Sequence, residues 1–114
     1  MIVISEPLPD SKEGYLSIHD ITSDESKIGR IEVNYLQRDE AKAFKRLKRK
    51  LKAGHPFNVK VILNAEDRKI TKNTVSEVIQ AAVNSFKGLE PRDIYIIKEN
   101  KSGKEYLGKG SSLQ

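Results

Sequence analysis

The chain has no cysteine and no tryptophan among its 114 residues. Without cysteine, a disulfide framework, a thiolate metal site and a cysteine nucleophile are all excluded, and an intracellular, cytoplasmic setting is the expectation. Aromatic residues make up only 6% of the chain, too few for the interleaved rings of a single-strand stacking platform. No uncharged apolar run approaches the roughly 20 residues that a bilayer-spanning helix requires. The short apolar start Met1–Ile4, soon followed by Glu6 and Pro7, lacks the basic region and the length of a secretory signal. A soluble protein with no membrane span is therefore expected. Histidine is scarce too: His19 beside Asp20 and His55 beside Pro56 stand alone, neither in a ligand or nucleophile spacing, and a lone loop histidine is usually incidental.

What the chain has in quantity is charge, and it is unevenly placed. Residues 1–30 hold six acids and three bases, whereas residues 31–60 hold nine bases and three acids. Within the second block, Arg38, Lys42, Lys45, Arg46, Lys48, Arg49, Lys50 and Lys52 face only Asp39 and Glu40. Projected at about 100° per residue, seven of these bases form one sector without an acid, and Lys50 extends it past Asp39. A field concentrated in this way can steer a polyanion, while a uniformly mixed surface mainly confers solubility.

Punctuation and periodicity predict two main helices. Asn34 and Gln37 form a version of a capping box and Gly54 with Pro56 supplies a stop, so the first helix is expected over about 35–53. Its apolar stripe is narrow: Leu36, Phe44, Leu47 and Leu51. The second is expected over about 74–87, with Thr74 as cap and Glu77 returning the interaction, and its face of Val75, Val78, Ile79, Ala82, Val83 and Phe86 is broader. Strands are expected at Met1–Ile4, Tyr15–Ile18, Ile28–Val33, Phe57–Leu63, Ile94–Ile97 and Glu105–Leu107, with a polar loop Thr22–Ser26 joining the second and third. The strand, helix and strand of residues 57–98 predict a right-handed crossover between parallel strands. The whole reads as one α+β domain over residues 1–107, a mixed β-sheet with the two helices packed on one face, followed by a flexible tail over 108–114.

The run Thr74–Lys87, the turn Gly88-Leu89-Glu90-Pro91 and the strand Arg92–Ile97 together resemble the closing helix, turn and strand of ring-building domains in flagellar and injectisome basal-body proteins. In that family a helix precedes the first sheet strand, as residues 35–53 precede Phe57 here. The resemblance covers residues 35–98 and implies a homo-oligomeric or partner-binding assembly module.

The basic helix carries the leading functional expectation. Several Lys and Arg side chains on one rigid face displace condensed counterions from a polyphosphate together, which gives sequence-independent, salt-sensitive affinity. The nucleic-acid-binding residues so predicted are Arg38, Lys42, Lys45, Arg46, Lys48, Arg49 and Lys52. The bland alternative is a solvated face whose long stems cover the narrow apolar stripe. Against it, acids at i±4 are nearly absent, so the helix tolerates like-charge repulsion that a solubilising helix would avoid. An acidic protein surface is the other partner expected for this face.

No catalytic constellation emerges, and neither a cofactor nor a metal is implied. Asp20, Asp24 and Glu25 could offer oxygen ligands, but their spacing lacks the EF-hand pattern and its glycine. Gly103–Gly110 misses a phosphate-loop motif because Gly110 stands where Ser or Thr is required; no helix is expected after it to orient amides on a phosphate. A non-enzymatic binding protein is the expectation.

Overall fold

A computed structural model describes residues 1–8, 16–34, 58–86 and 88–113. Six strands, β1 (Ile2–Ile4), β2 (Leu16–Ser23), β3 (Ser26–Asn34), β4 (Asn58–Asn64), β5 (Ile94–Asn100) and β6 (Gly103–Lys109), form one mixed sheet in sequence order. Every neighbouring pair is antiparallel except β4 and β5, which are parallel with Val61 opposite Ile96. Their connection runs through helix α1 (Lys72–Ser85), as the strand, helix and strand pattern predicts.

Alternation along the strands builds the core. Ile31 and Val33 of β3, Val59, Val61 and Leu63 of β4, and Ile94 and Ile96 of β5 are buried and share one cluster with Val75, Val78, Ile79 and Ala82 of α1. Residues two apart on a strand point to the same face, so these positions form one apolar layer under the helix. Burying each such Val or Ile side chain contributes about 1.5–3 kcal/mol. The intervening positions Arg30, Glu32, Tyr95 and Glu99 remain partly exposed. At Gly29 the packing is backbone on backbone: an added Cβ would lie 2.2 Å from the Ile62 carbonyl oxygen.

Several boundaries differ from the sequence expectation. The predicted Thr22–Ser26 loop is a tight turn, because β2 and β3 run on until Ser23 pairs with Ser26, leaving Asp24 and Glu25 at φ 50° and 68°. Two successive left-handed residues match the right-handed twist of the flanking strands. His19 consequently lies within β2, buried at 5% exposure, and is not in a loop. Helix α1 is capped by Thr71, whose Oγ1 accepts from the Thr74 amide at 3.1 Å, one turn before the expected cap. Residues 108–113, expected in the tail, carry the end of β6 and a short helical turn α2 (Gly110–Leu113), with Gly110 buried and Leu113 packed on the core. Gly110 lies so close to the chain at Pro91 that a Cβ would sit 2.7 Å from the Pro91 carbonyl oxygen. The first predicted helix, 35–53, lies outside the described residues. Among the described residues, no helix is long and apolar enough to cross a membrane.

Candidate anion-binding site

The predicted nucleic-acid contacts Arg38, Lys42, Lys45, Arg46, Lys48, Arg49 and Lys52 all lie outside the described residues. The attachment points of that segment are described. Asn34 closes β3, Asn58 opens β4, and the two are cross-strand partners, so residues 35–57 leave and re-enter the sheet at one end.

A different basic cluster stands at the other end of β4. Beyond its last strand residue Asn64, the chain passes through Ala65–Thr71 into α1, and Arg68, Lys69, Lys72 and the β5 residue Lys98 line a cleft of about 720 Å³. This is the crevice outside the carboxyl ends of two parallel strands, where α/β folds place ligands. Its size falls within the range of small-molecule sites, roughly 300–1,000 Å³. No acidic side chain is among its described lining residues. Of the nearby carboxylates, Glu66 pairs with Lys101 at 3.1 Å, and Glu105, the cross-strand neighbour of Lys98 on the same face of the sheet, makes no ion pair with it among the described residues. Within the same set, none of the four cations has an ion-pair partner.

The start of α1 sharpens this positive field. Its first turn holds no acid, and Lys72 is its first residue. A cation there opposes the helix dipole at a cost of about 0.3–1 kcal/mol, whereas Asp or Glu at the same place is favourable. Ile70, Val75, Leu107 and Leu113 contribute an apolar part of the cleft wall, beside the hydroxyl residues Thr71, Ser76 and Ser112.

The weaker motifs resolve into structural roles. Gly103–Gly110 is mostly β6, so its amides follow an extended strand beside β5 and cannot wrap a phosphate; α2 follows it, but is only 4 residues long. Asp20 pairs with Lys27 at 3.0 Å, while Asp24 and Glu25 form the hairpin turn. Among the described residues no group of three or more His, Asp or Glu side chains could hold a metal ion. His19 makes two ring hydrogen bonds: Nδ1 donates to the Ser5 carbonyl at 2.8 Å and Nε2 meets the Ser17 hydroxyl at 2.8 Å. Its edge packs on Phe86 at 5.1 Å.

Sequence reasoning missed the cleft because residues 61–90 balance four bases with four acids. The available signal was positional: Arg68, Lys69 and Lys72 cluster at a helix start that lacks an acidic first turn. No protein family, curated protein or solved structure matches the chain in comparisons with each.

Proposed function

We propose that this chain is a non-enzymatic binding protein that contacts nucleic-acid phosphates through the basic face of residues 38–52, held as an amphipathic helix, in the cytoplasm. The observation that carries this reading is the concentration of charge: residues 31–60 sum to +6 while the whole chain sums to +5, so the remainder is −1. Lys45, Arg46, Arg49 and Lys52 form the centre of that face, and phosphate neutralisation by them would be largely independent of sequence. The cationic cleft adds a second positive surface, attached at the opposite end of β4.

The deciding experiment is retention of the intact chain on duplex DNA, single-stranded DNA and structured RNA at low salt. Retention on a polymer, abolished when Lys45, Arg46, Arg49 and Lys52 are all changed to Glu, supports the reading. No retention on any of the three at low salt overturns it.

A second reading, a homotypic or partner-binding assembly module, is favoured by one observation. Strand β6 is a seven-residue outer strand of the sheet, largely exposed, and an unpaired edge is a template for another chain. Lys104 and Lys109 on that strand oppose such pairing in the manner of protected edges. Light scattering at high concentration separates the readings, since assembly through β6 requires a species larger than a monomer.

A further inference from the structure

We propose that the cleft at the carboxyl ends of β4 and β5 is a nucleotide-binding site, distinct from the basic face of residues 38–52. Four cations, Arg68, Lys69, Lys72 and Lys98, line it, and among the described residues none of them has an ion-pair partner and no acid joins them in the lining. Such a cluster is complementary to a ligand carrying more than one negative charge, and a phosphate or diphosphate is the common biological form. The ligand is not a bare inorganic anion. The cleft extends over about 720 Å³ and part of its wall is apolar, with Leu107 of β6 and Leu113 of α2 contributed by elements other than α1. A flat heteroaromatic base fills such a wall, while the phosphates lie against Lys69 and Lys72 at the positive end of the helix.

The donor set also fixes how the phosphate charge is neutralised. With no carboxylate among the described lining residues, lysine and arginine perform the neutralisation directly. Binding should therefore persist without a divalent cation. This site stands independently of polymer binding: it uses neither residues 38–52 nor the end of the sheet, at Asn34 and Asn58, from which segment 35–57 departs.

The test is titration of the intact, isotope-labelled chain with ADP in EDTA, with inorganic pyrophosphate and with adenosine as separate probes, followed by amide NMR. ADP is expected to shift the amides of Lys69, Lys72 and Lys98 together with those of Leu107 and Leu113; pyrophosphate is expected to shift the first set alone. Adenosine should bind at least tenfold more weakly than ADP. Lys69→Gln with Lys72→Gln, two exposed positions, should weaken ADP at least tenfold, and Lys69→Glu with Lys72→Glu should weaken it further, both with the folded spectrum retained. Reversal of Lys45, Arg46, Arg49 and Lys52 should leave ADP affinity unchanged even if it abolishes retention on nucleic acid. ADP shifts confined to other residues, binding unaffected by the Lys69 and Lys72 changes, or a strict requirement for Mg²⁺ would each overturn the assignment.

Discussion

Arg30 and Glu99, on strands that are not neighbours, join in a forked ion pair across β4, with Nη1 to Oε1 at 3.1 Å and Nη2 to Oε2 at 3.4 Å. The same guanidinium donates through Nε to Glu32 at 2.9 Å. The pair thus ties β3 to β5 on the face away from the core and spans Ile62 between them. Its planar fork matches a carboxylate in a way that lysine cannot.

This relationship makes a signed prediction for pH. The hydrogen bond from Arg30 holds the Glu99 carboxyl below the ordinary glutamate range, against a smaller opposing effect of burial and with further help from Arg30 and Lys104 charge. Because the folded value is depressed, the unfolded chain binds more protons in the acid range. The stabilisation is therefore complete above the ordinary glutamate range and is lost as pH falls through the lowered folded value. Glu99→Gln should cost up to about 1 kcal/mol at neutral pH, the modest size reflecting solvent screening of a partly exposed pair. Urea unfolding midpoints of the two proteins should converge as the pH is lowered through the ordinary glutamate range and below the depressed value of Glu99; a gap that stays constant into acid would contradict the assignment.

His19 supports a second prediction. Both ring nitrogens are used, by the Ser5 carbonyl and the Ser17 hydroxyl, and the ring edge meets Phe86. His19→Phe preserves much of the volume but leaves those two polar groups without their partner in a half-buried region. The expected loss is about 1–3 kcal/mol, measurable by chemical denaturation. An unchanged midpoint would mean that water replaces the histidine without cost.

Much of the sheet and the crossover was legible because β4 and β5 are marked by period-two or continuous apolar runs and α1 by a wide apolar face. Its start was not. Thr71 and Thr74 each precede a plausible first turn, and no apolar residue within 71–74 distinguishes them. Thr71 caps and its hydroxyl donates to Thr74 Oγ1 at 3.0 Å, while Glu77 accepts from Asn73 at 3.1 Å instead of completing a box with Thr74. The fate of Gly110–Leu113 was hidden for another reason. Gly-Ser-Ser-Leu has loop composition, and only the close approach to Pro91 and the packing of Leu113 turn it into a docked element. The cleft was least legible, since Lys98 reaches Arg68, Lys69 and Lys72 only through parallel pairing of β4 and β5.

The hairpin turn yields a prediction of increased stability. Glu25 occupies φ 68° immediately after Asp24 at φ 50°, a conformation that L-residues other than Asn and Asp adopt at a cost of about 1 kcal/mol. Two-residue turns of this form favour Gly at the second position. Glu25→Gly should raise stability by roughly 0.5–1 kcal/mol, the relief of backbone crowding exceeding the entropy glycine adds to the unfolded chain. Thermal unfolding would record this as an upward shift of a few degrees for a chain of this size. A downward shift would show that Glu25 makes a compensating contact through its side chain.

Salt dependence separates the two basic surfaces. For duplex DNA the logarithm of the binding constant falls with the logarithm of salt at a slope of about 0.9 per phosphate neutralised. If Lys45, Arg46, Arg49 and Lys52 each engage one phosphate, reversing all four should flatten that slope by about 3.6 and remove most of the affinity. Replacing Lys69 and Lys72 by Gln removes two positive charges from the cleft, yet should flatten the slope by less than about 1 if the cleft receives a small ligand and the polymer lies on the other surface. An equal loss of slope per residue changed in either place would mean that the two surfaces form one continuous track for the polymer. Filter binding across a salt series, with fluorescence anisotropy on the same duplex, resolves these slopes because each differs from the next by more than one phosphate contact.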